Sequence, residues 1–431
     1  MRMTLWIGAL ATMLGSALYA QDIGGDWQGT LKAGSQEIRL VVKIEKGANG
    51  GWNGTLHSID QSPDRGAGMP ANSVTLQGSN LKFTIDAARI TYEGKVSADG
   101  ASIQGTWTQG RPLPLEFQRA TPENAWKDPS PHTVQFVTVD KDVRLEVLDW
   151  GGSGRPLVLL AGLGSTAHIF DKLAPKLTAN HHVYGITRRG FGVSSAPATG
   201  YSADRLGDDV LAVLDSLQLN RPVLVGHSIA GEELSSVGSR HPERVAGLIY
   251  LDAAYSYAYY HGAGGDLDID LVDLQKKLEQ LQPGKRPQDP KALIHELLET
   301  TLPGFERDLR ERQKLLQAMP AALASAQASS PASEAAHAIQ MGEQKYTNIP
   351  VPILAIYAVP HDFGPVPGFD AAARAAFEAA DEAATGAQAK AFESGVPTAR
   401  VVRLAHANHG VFLSNEADVL REMNAFLGRL R

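Results

Sequence analysis

The sequence predicts an α/β protein, a mostly parallel sheet with helices on both faces and a helical cap, preceded by a smaller antiparallel β domain. Three observations carry that prediction. Beyond residue 133, short apolar runs alternate with helical segments, the rhythm of a parallel sheet covered on both sides. Before residue 120 the apolar pattern instead has period two, and an aromatic-x-Gly unit recurs: Trp27-Gln-Gly-Thr-Leu31 returns as Trp52-Asn-Gly-Thr-Leu56. Between the two textures lies Thr121-Pro-Glu-Asn-Ala-Trp-Lys-Asp-Pro-Ser-Pro131, punctuated by proline as linkers are.

The first twenty residues read as an export signal. Arg2 precedes the apolar run Leu5–Leu14, and small residues around Ala17 to Ala20 offer a cleavage site. The expected location is therefore periplasmic or secreted, with no stable membrane insertion once the signal is removed. Residues 21–120 form the small β domain, a barrel or a sandwich. Ile38, Leu40, Val42 and Ile44 share one face of a strand there, as do Leu81, Phe83 and Ile85. Trp27, Trp52 and Trp107 read as its core aromatics. No catalytic constellation falls in it.

Residues 121–132 are the linker, and 133–431 the larger domain. Val134–Val139 and Arg144–Leu148 form a strand pair, Pro156–Leu160 a buried strand and His182–Ile186 the next. Asp204–Leu217 is an amphipathic helix, and Val245–Leu251 a strand that reaches Asp252. The rhythm then breaks between about 255 and 346. Leu267, Leu271, Leu274, Leu278 and Leu281 fall on one helical face there, which predicts a helical cap over the strand ends, where ligands of such sheets bind. It resumes with the strand Val351–Tyr357, a helix over Ala371–Phe392, the strand Arg400–Leu404 and a helix from Asn415 to Leu430.

Composition narrows the function. The 431 residues are 43% hydrophobic and 20% charged, enough to build a large core, and the net charge is −7 without a basic cluster. Nucleic acid and anionic membrane are poor partners for such a surface, and a small-molecule substrate is the expected one. The absence of cysteine removes disulfides, thiolate metal sites and a cysteine nucleophile.

The chemistry centres on Arg221-Pro-Val-Leu-Val-Gly-His-Ser-Ile-Ala-Gly231. A buried strand runs into a tight turn and then a helix, Ile229–Arg240. A serine at such an apex takes a strained conformation that only small neighbours permit, and Gly226, Ala230 and Gly231 supply them. The turn pushes the Ser228 hydroxyl outward and leaves the Ile229 N–H free at a helix N-terminus. Serine catalysis also needs a base and an acid that orients it. His409 follows the last strand, and Asp362 follows the strand before it, so the order Ser228, Asp362, His409 places all three at one sheet rim. Asp252, one strand earlier, is the second candidate for the acid. The second oxyanion donor is the N–H of Leu163. His361 and His406 read as loop or shell residues rather than as the base, and His227 as packing behind the elbow.

Taken together, Gly162-Leu-Gly164, Arg189-Gly-Phe-Gly192, the Gly226-His-Ser-Ile-Ala elbow, Leu251-Asp252, Asp362 and His409-Gly410 resemble the α/β-hydrolase superfamily of esterases and lipases over residues 133–431. The resemblance implies the α/β-hydrolase fold and a serine hydrolase of carboxylic esters, with no cofactor and no metal. A serine at 228 argues against the branches in which a carboxylate attacks, the dehalogenases and epoxide hydrolases. Two other classes remain open. One is a non-catalytic binding protein on the same scaffold. The other is an NADP-dependent oxidoreductase, because Gly162-Leu-Gly-Ser-Thr-Ala167 has dinucleotide-turn spacing and Arg188 and Arg189 lie where a 2′-phosphate is read.

Overall fold

The computed structural model describes residues 22–33, 36–47, 50–59, 69–125, 130–261, 266–318, 334–364 and 371–430. The expected export signal, residues 1–20, lies outside them. No helix among the described residues is long and apolar enough to cross a membrane. The chain divides into two compact units, Met1–Thr30 with Val41–Leu56 and Met69–Ala125, and Leu31–Leu40 with His57–Gly68 and Trp126–Arg431. The final boundary falls inside the proline-punctuated linker, while two short N-terminal segments group with the larger unit.

The N-terminal strands are β1 (Gly25–Ala33), β2 (Gln36–Lys46), β3 (Trp52–Ser58), β4 (Met69–Pro70), β5 (Ser73–Gln77), β6 (Asn80–Ile85), β7 (Ile90–Val96), β8 (Ser102–Gln109) and β9 (Arg111–Arg119). They form one sheet in the order β4-β3-β2-β1-β9-β8-β7-β6-β5. Its two ends meet: the Ala71 N–H donates to Gly54 on β3, and the next N–H, of Asn72, donates to Thr84 on β6. The sheet therefore curls toward a barrel. Trp27, Phe83, Tyr92, Trp107 and Phe117 are buried within it, as the alternation predicts, whereas Trp52 is only half-buried.

The recurrent aromatic-x-Gly unit has a steric cause. Gly94 on β7 and Gly105 on β8 sit directly opposite each other. The Tyr92 ring lies over both, and its hydroxyl donates to Ile103 O at 3.0 Å and Leu115 O at 3.1 Å. A Cβ at Gly94 would meet that hydroxyl at 2.7 Å, and one at Gly105 would meet the Glu93 carbonyl at 2.4 Å. Only glycine lets the aromatic ring fold back onto the sheet here.

The larger unit holds β10 (Thr133–Asp140), β11 (Val143–Gly151), β12 (Arg155–Leu160), β13 (His181–Ile186), β14 (Val223–His227), β15 (Gly247–Leu251), β16 (Ile353–Ala358) and β17 (Ala399–Leu404). Their order is β10-β11-β13-β12-β14-β15-β16-β17. The pairs made by β10 are antiparallel, as is β11 with β13, and every later neighbour pair is parallel. Every residue of β14 and β15 is buried. That accounts for their continuous apolar sequences, because a central parallel strand has no wet face. Helix α1 (Ala203–Ser216) starts where the Ser202 hydroxyl accepts the Arg205 N–H, and it buries Leu206, Val210, Val213 and Leu214. Helix α2 (Ala230–Arg240) follows β14 and buries its inner face from Ala230 to Gly238.

The cap region carries helices Leu267–Glu279, Pro290–Glu296, Leu302–Ala318 and Glu334–Gln340. Its first helix differs from the expected leucine face. Leu278 and Leu281 are exposed, and the buried stripe runs through Ile269, Val272 and Leu274. Buried Asp270 turns the helix this way, since its carboxylate accepts the Tyr260 hydroxyl at 2.8 Å and pairs with Lys345 at 2.6 Å. Among the exposed residues, leucine periodicity does not report burial.

Candidate active site

Ser228 follows the last residue of β14 with φ +54°, the left-handed region that a serine adopts only under constraint. Two hydrogen bonds hold it there. Its N–H donates to Leu251 O at 3.3 Å, and its carbonyl accepts the Gly231 N–H at 2.9 Å. The small neighbours are required sterically: a Cβ at Gly231 would come within 1.9 Å of the Ala253 carbonyl. Because that neighbour is backbone, Gly231→Ala is expected to destabilise the fold by about 2–3 kcal/mol or more, read by urea unfolding. An unchanged midpoint would mean that the elbow is looser than its geometry.

The elbow faces the turn after β12. A Cβ at Gly162 would touch the Ser228 Cβ at 3.1 Å, so this turn lies against the serine. Neither the Leu163 N–H nor the Ile229 N–H has a hydrogen-bond partner among the described residues. Half-buried and buried amides are rarely left this way. Two such donors beside one hydroxyl make a place for a developing oxyanion. Around them pack Leu206, Phe191, Tyr257 and Ile339, the last from helix Glu334–Gln340, so the wall of this place is apolar.

His409 lies in the loop after β17, beside the elbow. Its ring centroid is 4.8 Å from that of His227, and its carbonyl accepts His227 Nε2–H at 3.1 Å. His227 is buried behind the elbow, as its position predicts. Burial, with His409 alongside, pushes its imidazole down to about 4 and keeps it neutral. The His409 ring is half-exposed and is anchored through Nδ1, which donates to Asp252 Oδ2 at 2.7 Å. That bond leaves Nε2 as the free ring nitrogen, the tautomer a general base needs.

The acid on His409 is thus Asp252, which corrects the expectation of Asp362. Asp252 comes immediately after β15, fully buried, with its N–H tied to Ile356 O at 2.7 Å. Asp362 comes four residues after β16, and its exposed carboxylate accepts the Gly364 N–H at 2.8 Å, with Arg374 at 3.8 Å. The extra residues carry Asp362 past the rim and turn it to solvent. The side chain that β16 does deliver is the one before it, His361, whose Nε2 reaches Asp252 Oδ2 at 2.8 Å. Asp252 Oδ1 accepts the Tyr255 hydroxyl at 2.8 Å and the Ala358 N–H at 3.0 Å. Burial raises the carboxyl, yet the hydrogen bonds from His361 and His409 outweigh it and hold Asp252 at about 2.

Arg188 and Arg189 are not available to a phosphate. Arg188 is buried and forks onto Glu233 at 2.6 and 2.7 Å, while Arg189 forks onto Asp209 at 2.6 Å. The turn beginning at Gly162 leads into a four-residue 3-10 turn, Ala167–Phe170, where a dinucleotide site would open a long helix. Both features remove the basis of the oxidoreductase reading.

Two groups of metal-ligand type occur among the described residues, Asp252 with His361 and His409, and His132 with His168 and Asp171. The first is held together by its own hydrogen bonds, and an ion there would displace the bond that orients His409. The second is structural. His168, in the 3-10 turn, lies between Glu146 Oε1 at 3.3 Å and Asp171 Oδ2 at 3.5 Å. Burial lowers its imidazole, but Asp171 and Glu146 more than offset that and raise it to about 9. A raised folded-state value makes the cluster stabilising below the unfolded pKa of about 6.5, and that contribution fades as pH climbs through about 9. The stability gap between wild type and His168→Gln should therefore be on the order of 2 kcal/mol near pH 6 and shrink by about pH 9.5, read by urea unfolding. A gap that widens with pH would contradict the ion-pair account.

Residues 157–422 match the sequence profile of the alpha/beta hydrolase family, more than half of the chain. The chain belongs to the alpha/beta hydrolase family. Its similarity to individual members of the alpha/beta hydrolase family is local. It is 28% identical over 101 residues to a 2-(acetamidomethylene)succinate hydrolase of Mesorhizobium japonicum, 23% of this chain and 36% of that protein. It is 30% identical over 153 residues to epoxide hydrolase 4 of Mus musculus, 34% of this chain and 43% of that one. It is 36% identical over 107 residues to a 2-hydroxymuconate semialdehyde hydrolase of a Pseudomonas species, 24% and 38% respectively. These matches span less than half the length of each relative. Among solved structures, that of E-2-(acetamidomethylene)succinate hydrolase superposes with a TM-score of 0.42 at 19% identity, covering 69% of this chain and 99% of that one.

Within this alpha/beta hydrolase, sequence reasoning located Ser228, His409, Leu163 and Ile229 at one rim, and the structure sets the Gly162 turn against Ser228 and the His409 ring beside His227. Sequence reasoning ranked Asp252 second to Asp362 as the partner of His409, and it did not foresee the bonds that tie His361, Tyr255 and Asp381 together around Asp252. The one local signal for Asp252 was its place directly after a continuous apolar strand.

Proposed function

We propose that this chain is a serine hydrolase that cleaves a carboxylic ester through an acyl-enzyme intermediate. The observation that carries the reading is the 2.7 Å bond from His409 Nδ1 to Asp252, beside a strained Ser228 and two unpartnered amides. His409 Nε2 takes the Ser228 proton as Oγ attacks the ester carbonyl. The Leu163 and Ile229 N–H groups receive the oxyanion, each worth about 3 kcal/mol of barrier. His409 then gives its proton to the leaving alcohol. A water deprotonated by His409 attacks the acyl-enzyme, and collapse of the second tetrahedral intermediate returns the proton to Ser228 and releases the carboxylic acid.

The apolar wall formed by Phe191, Leu206, Tyr257 and Ile339 beside the oxyanion donors supports an apolar acyl or aryl ester. A cavity of about 790 Å³, lined by Tyr255, Leu267, Asp308 and Gln388, opens between the cap helices and helix Ala371–Gly395. The names of the relatives favour hydrolysis over binding alone, and a serine at 228 favours acyl transfer over epoxide opening. The signal-like residues 1–20 support export, which cell fractionation checks by locating the mature chain outside the cytoplasm.

Wild-type protein treated with a fluorophosphonate should be labelled at Ser228, as peptide mass spectrometry would locate, and should turn over p-nitrophenyl esters of graded chain length. Well-folded protein that neither labels nor turns over would sink this reading in favour of a binding scaffold.

A further inference from the structure

Behind Asp252 the hydrogen-bond chain continues. His361 Nε2 lies 2.8 Å from Asp252 Oδ2, and its Nδ1 lies 3.0 Å from both carboxylate oxygens of Asp381 on helix Ala371–Gly395. The His361 N–H also donates to Asp381 Oδ2 at 2.8 Å, so ring and backbone are gripped by one carboxylate. A neutral imidazole has one N–H, and its other nitrogen would then press a lone pair against a carboxylate oxygen. With an acid at each end, both nitrogens must carry protons. His361 is therefore an imidazolium between two carboxylates. Burial opposes that charge, but Asp252 and Asp381 outweigh it and hold the ring at about 9.

We propose that His361, held by Asp381, is a positioning residue that fixes Asp252 on His409 and sets the pH range in which His409 works as the base. The inference rests on the serine-hydrolase reading above. Asp252 is a carboxylate with four donors: His409, His361, Tyr255 and the Ala358 N–H. It can neither rotate nor take a proton without breaking several of them. The charged or titratable groups facing His361 are Asp252 after β15, Asp381 on the helix and His409 after β17. The Tyr255 hydroxyl (3.3 Å) is the other titratable neighbour, and Thr385 donates to Asp381 from the same helix. Arg374 instead donates to Glu378 at 2.8 Å and lies 3.8 Å from Asp362. The fixed charges behind His409 thus sum to −1, where a bare acid pair without His361 would give −2.

The sign of that charge is testable through the acid limb of kcat/KM, which reports the free base. His361→Gln keeps a donor toward Asp252 and removes the cation. The His409 and His361 rings are 6.2 Å apart, and at an effective dielectric near 40 one unit charge over that distance is worth about one pKa unit. The acid limb should therefore move up by about one pH unit, with kcat falling roughly tenfold and KM little changed. Asp381→Asn should leave the limb in place or lower it. The double variant restores the sum to −1, and its limb should return to the wild-type position.

A limb in His361→Gln that coincides with wild type, or a double variant shifted as far as the single one, overturns the proposal. Should the variants fail to fold, nitrogen-15 spectra of the wild-type protein near neutral pH decide it. Both His361 ring nitrogens should resonate as protonated imidazolium, and a neutral-imidazole signal overturns the proposal. Failure of the hydrolase reading looks different: wild type would show no Ser228 labelling and no ester turnover, whatever the His361 signal.

Discussion

Replacing Ser228 with alanine should lower kcat for an ester by roughly 10⁴–10⁶-fold, the scale on which serine enzymes lose their nucleophile. Ser228 is the residue at the apex, and its neighbours Gly226, Ala230 and Gly231 carry no nucleophile. The variant should fold. Alanine at φ +54° is strained much as serine is, and the bonds that hold the turn come from the backbone. A denaturation midpoint close to wild type, with fluorophosphonate labelling gone, is the expected pair of results. A variant that keeps its labelling would place the reactive group elsewhere.

Asp252→Asn should lower kcat by about 10⁴-fold, while Asp362→Asn should change it by less than about twofold. The difference follows from tautomers. Asp252 accepts the His409 Nδ1 proton at 2.7 Å, and an amide can present an N–H there instead, which puts the imidazole proton on Nε2 and spoils the base. Among the described residues, the exposed Asp362 carboxylate accepts the Gly364 N–H and lies 3.8 Å from Arg374. Steady-state kinetics on both variants, with unfolding curves to separate activity from stability, checks the assignment. The reverse ranking would return the acid to Asp362.

Much of the site is local chemistry and was legible as such. A strand, a Gly-x-Ser turn and a helix in immediate succession force the geometry of Ser228 and free the Ile229 amide, whatever packs around them. The parallel sheet was likewise readable, since β12, β14, β15 and β16 carry short apolar runs set between turns and helices. The aromatic-x-Gly repeats announced antiparallel strands. Their reason, a tyrosine ring folded over Gly94 and Gly105 across two strands, is a contact between segments that no single segment contains. The first cap helix misled for the opposite cause. Its leucines have helical spacing, but Asp270 is engaged by Tyr260 and Lys345 and sets which side faces in.

By itself, then, the sequence made legible the strand–turn–helix that carries Ser228 and the sheet it belongs to, because each depends on residues adjacent in the chain or on strand order. Only the tertiary structure decided which aspartate meets His409. Asp252 and Asp362 both follow parallel strands on the same rim, and strand order alone permits either. The choice turns on how far each strand runs before its aspartate: Asp252 leaves β15 at once and stays buried, while four residues carry Asp362 beyond β16 into solvent. Whether a carboxylate reaches an imidazole is settled within a few ångströms, and that distance is fixed by packing between strands.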